Sequence, residues 1–99
     1  MPAARRPPMH LQAAAGQPLK IVLDATSAAG WLWQAPAAPR GCALAEGPAA
    51  SAGAGEGGAV QQQFTFSSAA AGTHPLLFEL RRPWDESPLA VQPVRITVV

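Results

Sequence analysis

The chain has 99 residues, 48% hydrophobic, 13% charged and only 6% aromatic, with seven Lys and Arg against six Asp and Glu. A formal charge of +1 is too small to steer it towards nucleic acid or an anionic membrane, so neither is expected as a partner. The length suits one domain with a two-layer core, and the single cysteine, Cys42, excludes an internal disulfide and a cysteine-based zinc site.

Alanine supplies 22 of the hydrophobic residues, so the core must rest on a few large side chains gathered in short runs. Eleven prolines and nine glycines interrupt the chain too often for long helices and favour short strands joined by turns. The expected fold is therefore all-β. No apolar run has the length of a signal peptide or of a membrane-crossing helix, so the chain as written reads as cytoplasmic, unless Met1 restarts a processed periplasmic or secreted form. Heavy use of Ala, Pro, Gly and Arg points to a GC-rich, bacterial genome.

In chain order, residues 1–9, rich in Pro, Arg and Ala, read as a flexible N-terminal tail, with the folded domain over 10–99. The run LKIVL (19–23) alternates Leu19, Ile21 and Leu23 on one face at the period of a strand. WLWQ (31–34) places Trp31 and Trp33 on one face of a second strand, which makes both core candidates. DATSAAG (24–30) between them is too long for a tight hairpin and reads as a wider connection at one end of a sandwich. From Gln34 to Ala59 the chain reads as largely irregular, with CALAE (42–46) a short edge strand. Beyond it, Phe64 with Phe66, then Leu76, Phe78 and Leu80, then Val94, Ile96 and Val98 mark three more strands, each with polar residues on the alternate face. The count predicts an immunoglobulin-like β-sandwich of six to eight short strands.

Three connections stand out: DATSAAG (24–30), GAGEGG (53–58) and RPWDESP (82–88). In an immunoglobulin-like order they emerge at one end of the domain, where loops on a rigid scaffold build a binding site. The chain resembles the chagasin family, proteinaceous inhibitors of papain-like cysteine peptidases. TSAAGWLW (26–33) occupies the place of the family's Asn-Pro-Thr-Thr-Gly-aromatic loop, GEGG (55–58) that of its Gly-x-Gly-Gly loop, and RPW (82–84) that of its Arg-Pro-Trp loop. The spacing from Gly16 to Gly30 and the position of AGTH (71–74) ahead of Arg82 also follow the family pattern, and the likeness covers residues 10–99.

The resemblance implies a reversible inhibitor that occludes the active-site cleft with three loops, contacting the peptidase through Thr26, Ser27, Ala28, Ala29, Gly30 and Trp31, through Gly55, Glu56, Gly57 and Gly58, and through Arg82, Pro83 and Trp84. Trp84 would be the anchor, and Arg82 would pair with an enzyme carboxylate or support its own loop. The first loop departs from the family: aligned through Gly30 and Trp31, its Asn-Pro-Thr-Thr is replaced by Thr26, Ser27, Ala28 and Ala29, so the hydroxyl nearest the peptidase's catalytic centre is missing. Each lost interface hydrogen bond costs about 0.5 to 1.5 kcal/mol, which weakens the inhibitor without abolishing inhibition. The Gly-rich loop stands two residues farther from FTF (64–66) than the pattern has it, and Glu56 adds a charge there.

Each motif also has a plainer reading. Trp31 and Trp33 fit a buried strand face, the glycines of 55–58 fit a low-complexity linker, Trp84 could fold back onto its own sandwich, and the arginine pairs 5–6 and 81–82 read as ordinary surface charges. Catalysis finds little support. Cys42 has only His10 and His74 to draw on as a base, and Asp24, Asp85 and Glu86 lack ligand-like spacing for a cation. The expectation is a monomer with no enzyme activity and no cofactor. The alternative is an immunoglobulin-like interaction module that does not inhibit peptidases, a reading that Ala28 and Ala29 keep open.

Overall fold

A computed structural model describes residues 3–26, 30–47, 50–51 and 59–99. Among them lie nine strands: β1 (Ala4–Arg5), β2 (Met9–Ala13), β3 (Leu19–Thr26), β4 (Leu32–Gln34), β5 (Cys42–Glu46), β6 (Ala50–Ser51), β7 (Ala59–Ser68), β8 (Gly72–Arg81) and β9 (Ala90–Val98). Seven are longer than two residues, and no helix is present among the described residues. They form two sheets, one of β1, β2, β9, β8 and β4, the other of β3, β7, β5 and β6. The expected immunoglobulin-like sandwich is what the chain adopts.

The alternation read from the sequence sets the core. Ile21 and Leu23, Phe64 and Phe66, Leu76, Phe78 and Leu80, and Val94, Ile96 and Val98 are all buried, while Lys20, Val22, Thr65, Arg95 and Thr97 face outwards. Phe64 and Phe78 meet across the two layers with ring centroids 4.9 Å apart, a tilted contact worth about 0.5 to 1.5 kcal/mol beyond the area it buries. With no disulfide, this packing carries the fold.

Four elements differ from the sequence reading, the first being β6, a two-residue strand in the stretch 34–59 where only 42–46 is expected to pair. β3 continues past Leu23, with Asp24, Ala25 and Thr26 paired to Gln61, Val60 and Ala59, so the connection expected at 24–30 begins later. Trp31 precedes β4, which starts at Leu32, and only Trp33 of the two is fully buried. The stretch read as an N-terminal tail contains a parallel pairing, Ala4 with Ala90 and Arg5 with Val91, before β2 pairs Met9–Ala13 with Val94–Val98. Backbone hydrogen bonding to the exposed edge of β9 recruits residues whose composition gave no strand signal.

Two buried polar side chains satisfy backbone groups that strand pairing leaves free, and one of them, Gln62, joins the two sheets. Gln62 lies in phase with Phe64 and Phe66 and is 1% exposed; its Oε1 accepts from the Trp33 N–H at 2.7 Å, and its Nε2 donates to the Trp33 carbonyl at 3.0 Å and to Glu46 Oε2 at 3.2 Å. Trp33 belongs to β4, the last strand of its sheet, so the Gln62 amide supplies the pairing that a further strand would have given. Gln92, in phase with Val94 and Ile96, donates through Nε2 to the carbonyls of Pro7 and Pro93, both at 2.9 Å.

Candidate functional site

Strand register brings three connections to one end of the sandwich. Thr26, the last residue of β3, pairs with Ala59, the first of β7; Leu32, the first of β4, pairs with Arg81, the last of β8; and Leu80 pairs with Ala90, the first of β9. β6 and β7 pair Ser51 with Val60 across the segment that contains the Gly-rich run. The segments 27–31, 52–58 and 82–89 therefore start and finish at neighbouring strand ends. Ser27, Ala28, Ala29, Gly55, Glu56, Gly57 and Gly58 lie outside the described residues, and Thr26 is described in its backbone only.

The third connection is built around a four-residue turn. Arg82 accepts at its carbonyl from the Asp85 N–H at 3.0 Å, with Pro83 at the second position, where its fixed φ favours such a turn. Trp84 follows at the tip and is 68% exposed. Asp85 Oδ2 takes the Arg82 Nε–H at 2.9 Å and its backbone N–H at 3.3 Å, while Oδ1 takes Nη2 at 3.3 Å. This fork geometry fits a guanidinium and would not fit an ammonium. The Arg82 guanidinium holds the Asp85 carboxyl below its ordinary range, against an opposing effect of desolvation. At the base of the loop the Leu89 N–H donates to the Leu80 carbonyl at 2.8 Å.

The first connection packs against the third. Gly30 has φ +80°, a conformation that favours glycine, and a Cβ placed there would sit 3.5 Å from Trp84 Cη2 and 3.9 Å from Arg82 Cγ. The Trp84 ring thus lies against the Gly30 backbone. Arg82 Cζ is 4.2 Å from the centroid of the Trp31 ring and 5.3 Å from that of Trp84, within cation–π range of both indoles. Trp31 is half-buried and packs against the core on its other side. Trp33 anchors the base of the same loop, its Nε1–H donating to the Asp24 carbonyl at 2.9 Å.

Of the expected site residues, Gly30, Trp31, Arg82, Pro83 and Trp84 are thus brought together at one end. The indole of Trp84 does not fold back into the core, and Arg82 is engaged by its own loop. Sequence reasoning did not single out Asp85 as the clamp or Gln62 as the tie. Gln62 carried a usable signal, a polar residue in phase with two phenylalanines; Asp85 carried one in its spacing of three from Arg82 across a proline turn.

Among the described residues of this end, no carboxylate is left free to act as a base or to hold a cation beside Trp84 except Glu86, which has no second ligand. Asp85 is taken up by Arg82, and among the described residues no group of three or more His, Cys, Asp or Glu could hold a metal ion. Cys42 lies on β5 opposite Ser68, at the other end of the sandwich. Its Sγ is 3.8 Å from His74 Nδ1 and 3.7 Å from Nε2, a contact with the ring rather than a hydrogen bond in line with one nitrogen.

Comparisons with known proteins agree with this architecture. No curated protein matches the sequence. The solved structure of the cysteine protease inhibitor EhICP2 from Entamoeba histolytica is similar, with a TM-score of 0.71 over 98% of this chain and 88% of that one, at 16% identity, which speaks for the fold. The family described as Chagasin family peptidase inhibitor I42 matches residues 12–98. The chain therefore belongs to the chagasin family of peptidase inhibitors, and it is a reversible inhibitor of papain-like cysteine peptidases, not an enzyme.

Proposed function

We propose that inhibition proceeds by occlusion, with residues 26–31, 55–58 and 82–84 forming a wedge that fills the peptidase's substrate cleft and with no bond made or broken. The observation that carries this reading is the packed unit of Gly30, Trp31, Arg82 and Trp84, whose outermost indole is exposed. A ring held by a proline turn on one side and a glycine backbone on the other offers a large contact area with little motion to lose on binding. The small residues 27–29 let backbone approach the catalytic cysteine closely, and Gly55, Gly57 and Gly58 give an extended second contact. Arg82 acts inside the inhibitor, as the support of its own loop. The inhibitor works as a monomer, one copy to each peptidase.

The test is a titration of papain and of a cathepsin L-like peptidase with the intact chain. Competitive inhibition in the submicromolar range, at one inhibitor per enzyme and with the inhibitor recovered uncut, is the expected result. Inhibition that substrate does not relieve, or that is indifferent to substitution of both Trp84 and residues 27–29, would refute the wedge.

A further inference from the structure

The outer face of the five-stranded sheet carries a cleft of about 260 Å³ that the inhibitory end does not use. Its origin is a break in the N-terminal pairing with β9. Between Arg5, opposite Val91, and Met9, opposite Val94, the N-terminal chain has one residue more than β9. Pro7, Pro8 and Pro93 fall in this interval and have no N–H to give a ladder. Gln92 satisfies the freed carbonyls of Pro7 and Pro93 from inside. Pro8, Pro75 and Pro93 line the opening outside.

Arg5, His10 and Arg95 line the same cleft, and no Asp or Glu does. His10 and Arg95 are register partners, and Pro75 stands across from Arg95 on the next strand, so these three form a row over the sheet. The ion pairs among the described residues use Arg81 and Arg82, leaving Arg5 and Arg95 without an acidic partner there. Arg6, by contrast, turns to the Trp33 ring at 4.8 Å. Two guanidiniums at a preformed recess with rigid walls match an oxyanion, which they can grip by forked hydrogen bonds. Arg5, Pro8 and His10 precede residues 12–98, the span matched by the family model.

We propose that this cleft is a second binding site, for a small ligand bearing an oxyanion group, a phosphate or a carboxylate, and that Arg5 and Arg95 hold it. The test follows backbone amide NMR shifts of the intact chain titrated with inorganic phosphate and, separately, with succinate at fixed ionic strength. Saturable shifts centred on residues 5–10 and 93–95 with either anion are expected, and the anion that saturates identifies the source of the group. R5Q and R95Q should each weaken that binding at least about tenfold, while R40Q, which removes the same charge outside the cleft, should change it less than about twofold. Papain inhibition by R95Q should equal that of the parent, since none of Gly30, Trp31, Arg82, Pro83 and Trp84 lines the cleft. Shifts that do not saturate with either anion, or an equal loss in R40Q and R95Q, would overturn the proposal.

Discussion

The guanidinium of Arg82 lies 4.2 Å from the ring centroid of Trp31, and this contact, made between the third connection and the first, turns two loops into one surface. Arg82 also reaches Trp84 and is held by Asp85, so one side chain joins two aromatic rings and a carboxylate. Loops linked in this way bind with less ordering to do than loops that move independently.

Removing the exposed ring tests its role directly. Trp84→Ala should weaken inhibition of papain by about 2 kcal/mol, roughly thirtyfold, as expected of an interface anchor. Because the indole is 68% exposed, the melting temperature should stay close to that of the parent. A marked drop in melting temperature with inhibition intact would assign the ring to folding.

The Arg82 to Asp85 clamp has a defined pH dependence. The Asp85 carboxyl titrates below its ordinary value of 3.8, chiefly because Arg82 hydrogen-bonds its charged form. A depressed folded-state value stabilises the fold fully above the unfolded value, and that contribution is lost as pH falls through the folded one. The clamp is therefore intact at about pH 5 as well as at neutrality. Inhibition constants at the two should agree apart from changes shared with Asp85→Asn, whose own inhibition should be weaker throughout. A selective loss of parent inhibition at about pH 5, absent from Asp85→Asn, would contradict this account.

Gln62→Leu removes both bonds to the Trp33 backbone and the one to Glu46 while keeping the volume close. Leaving the buried Trp33 amide and carbonyl without partners should destabilise by about 1 to 3 kcal/mol. For a chain of this length that lowers the melting temperature by at least about 4 °C, measurable by calorimetry. A neutral result would mean that water or a shifted strand replaces the amide.

Gly30→Ala separates conformation from space. The Cβ would meet Trp84 and Arg82 at ordinary contact distances, so the strain comes from φ +80° alone, about 1 kcal/mol. The variant should melt a few degrees lower and inhibit more weakly, because the Trp84 ring rests on that backbone. Unchanged inhibition, read from the same papain titration, would separate the glycine from the binding surface.

The local patterns were decisive where strands bury one face. Period-two alternation in 19–23, 64–66, 76–80 and 94–98 marked the core faces that the two sheets bury, because a strand's side chains take opposite faces whatever its partners. Composition and turn residues gave the all-β class, and three short motifs in order gave the family. Trp31 and Trp33, equal by that period, divide in the fold: Trp33 closes the core, and Trp31 lies under Arg82 at its edge.

Residue order alone thus shows which side chains face inwards and which family the chain resembles. Tertiary structure alone decided that Arg82 serves its own loop, that Gln62 closes the edge of β4, and that Ala4–Arg5 joins β9. Each of these joins residues distant in sequence or set by a turn, and hydrogen-bond and cation–π geometry between such groups leaves no periodic trace in the chain. Alternation is a property of one strand, whereas pairing belongs to two.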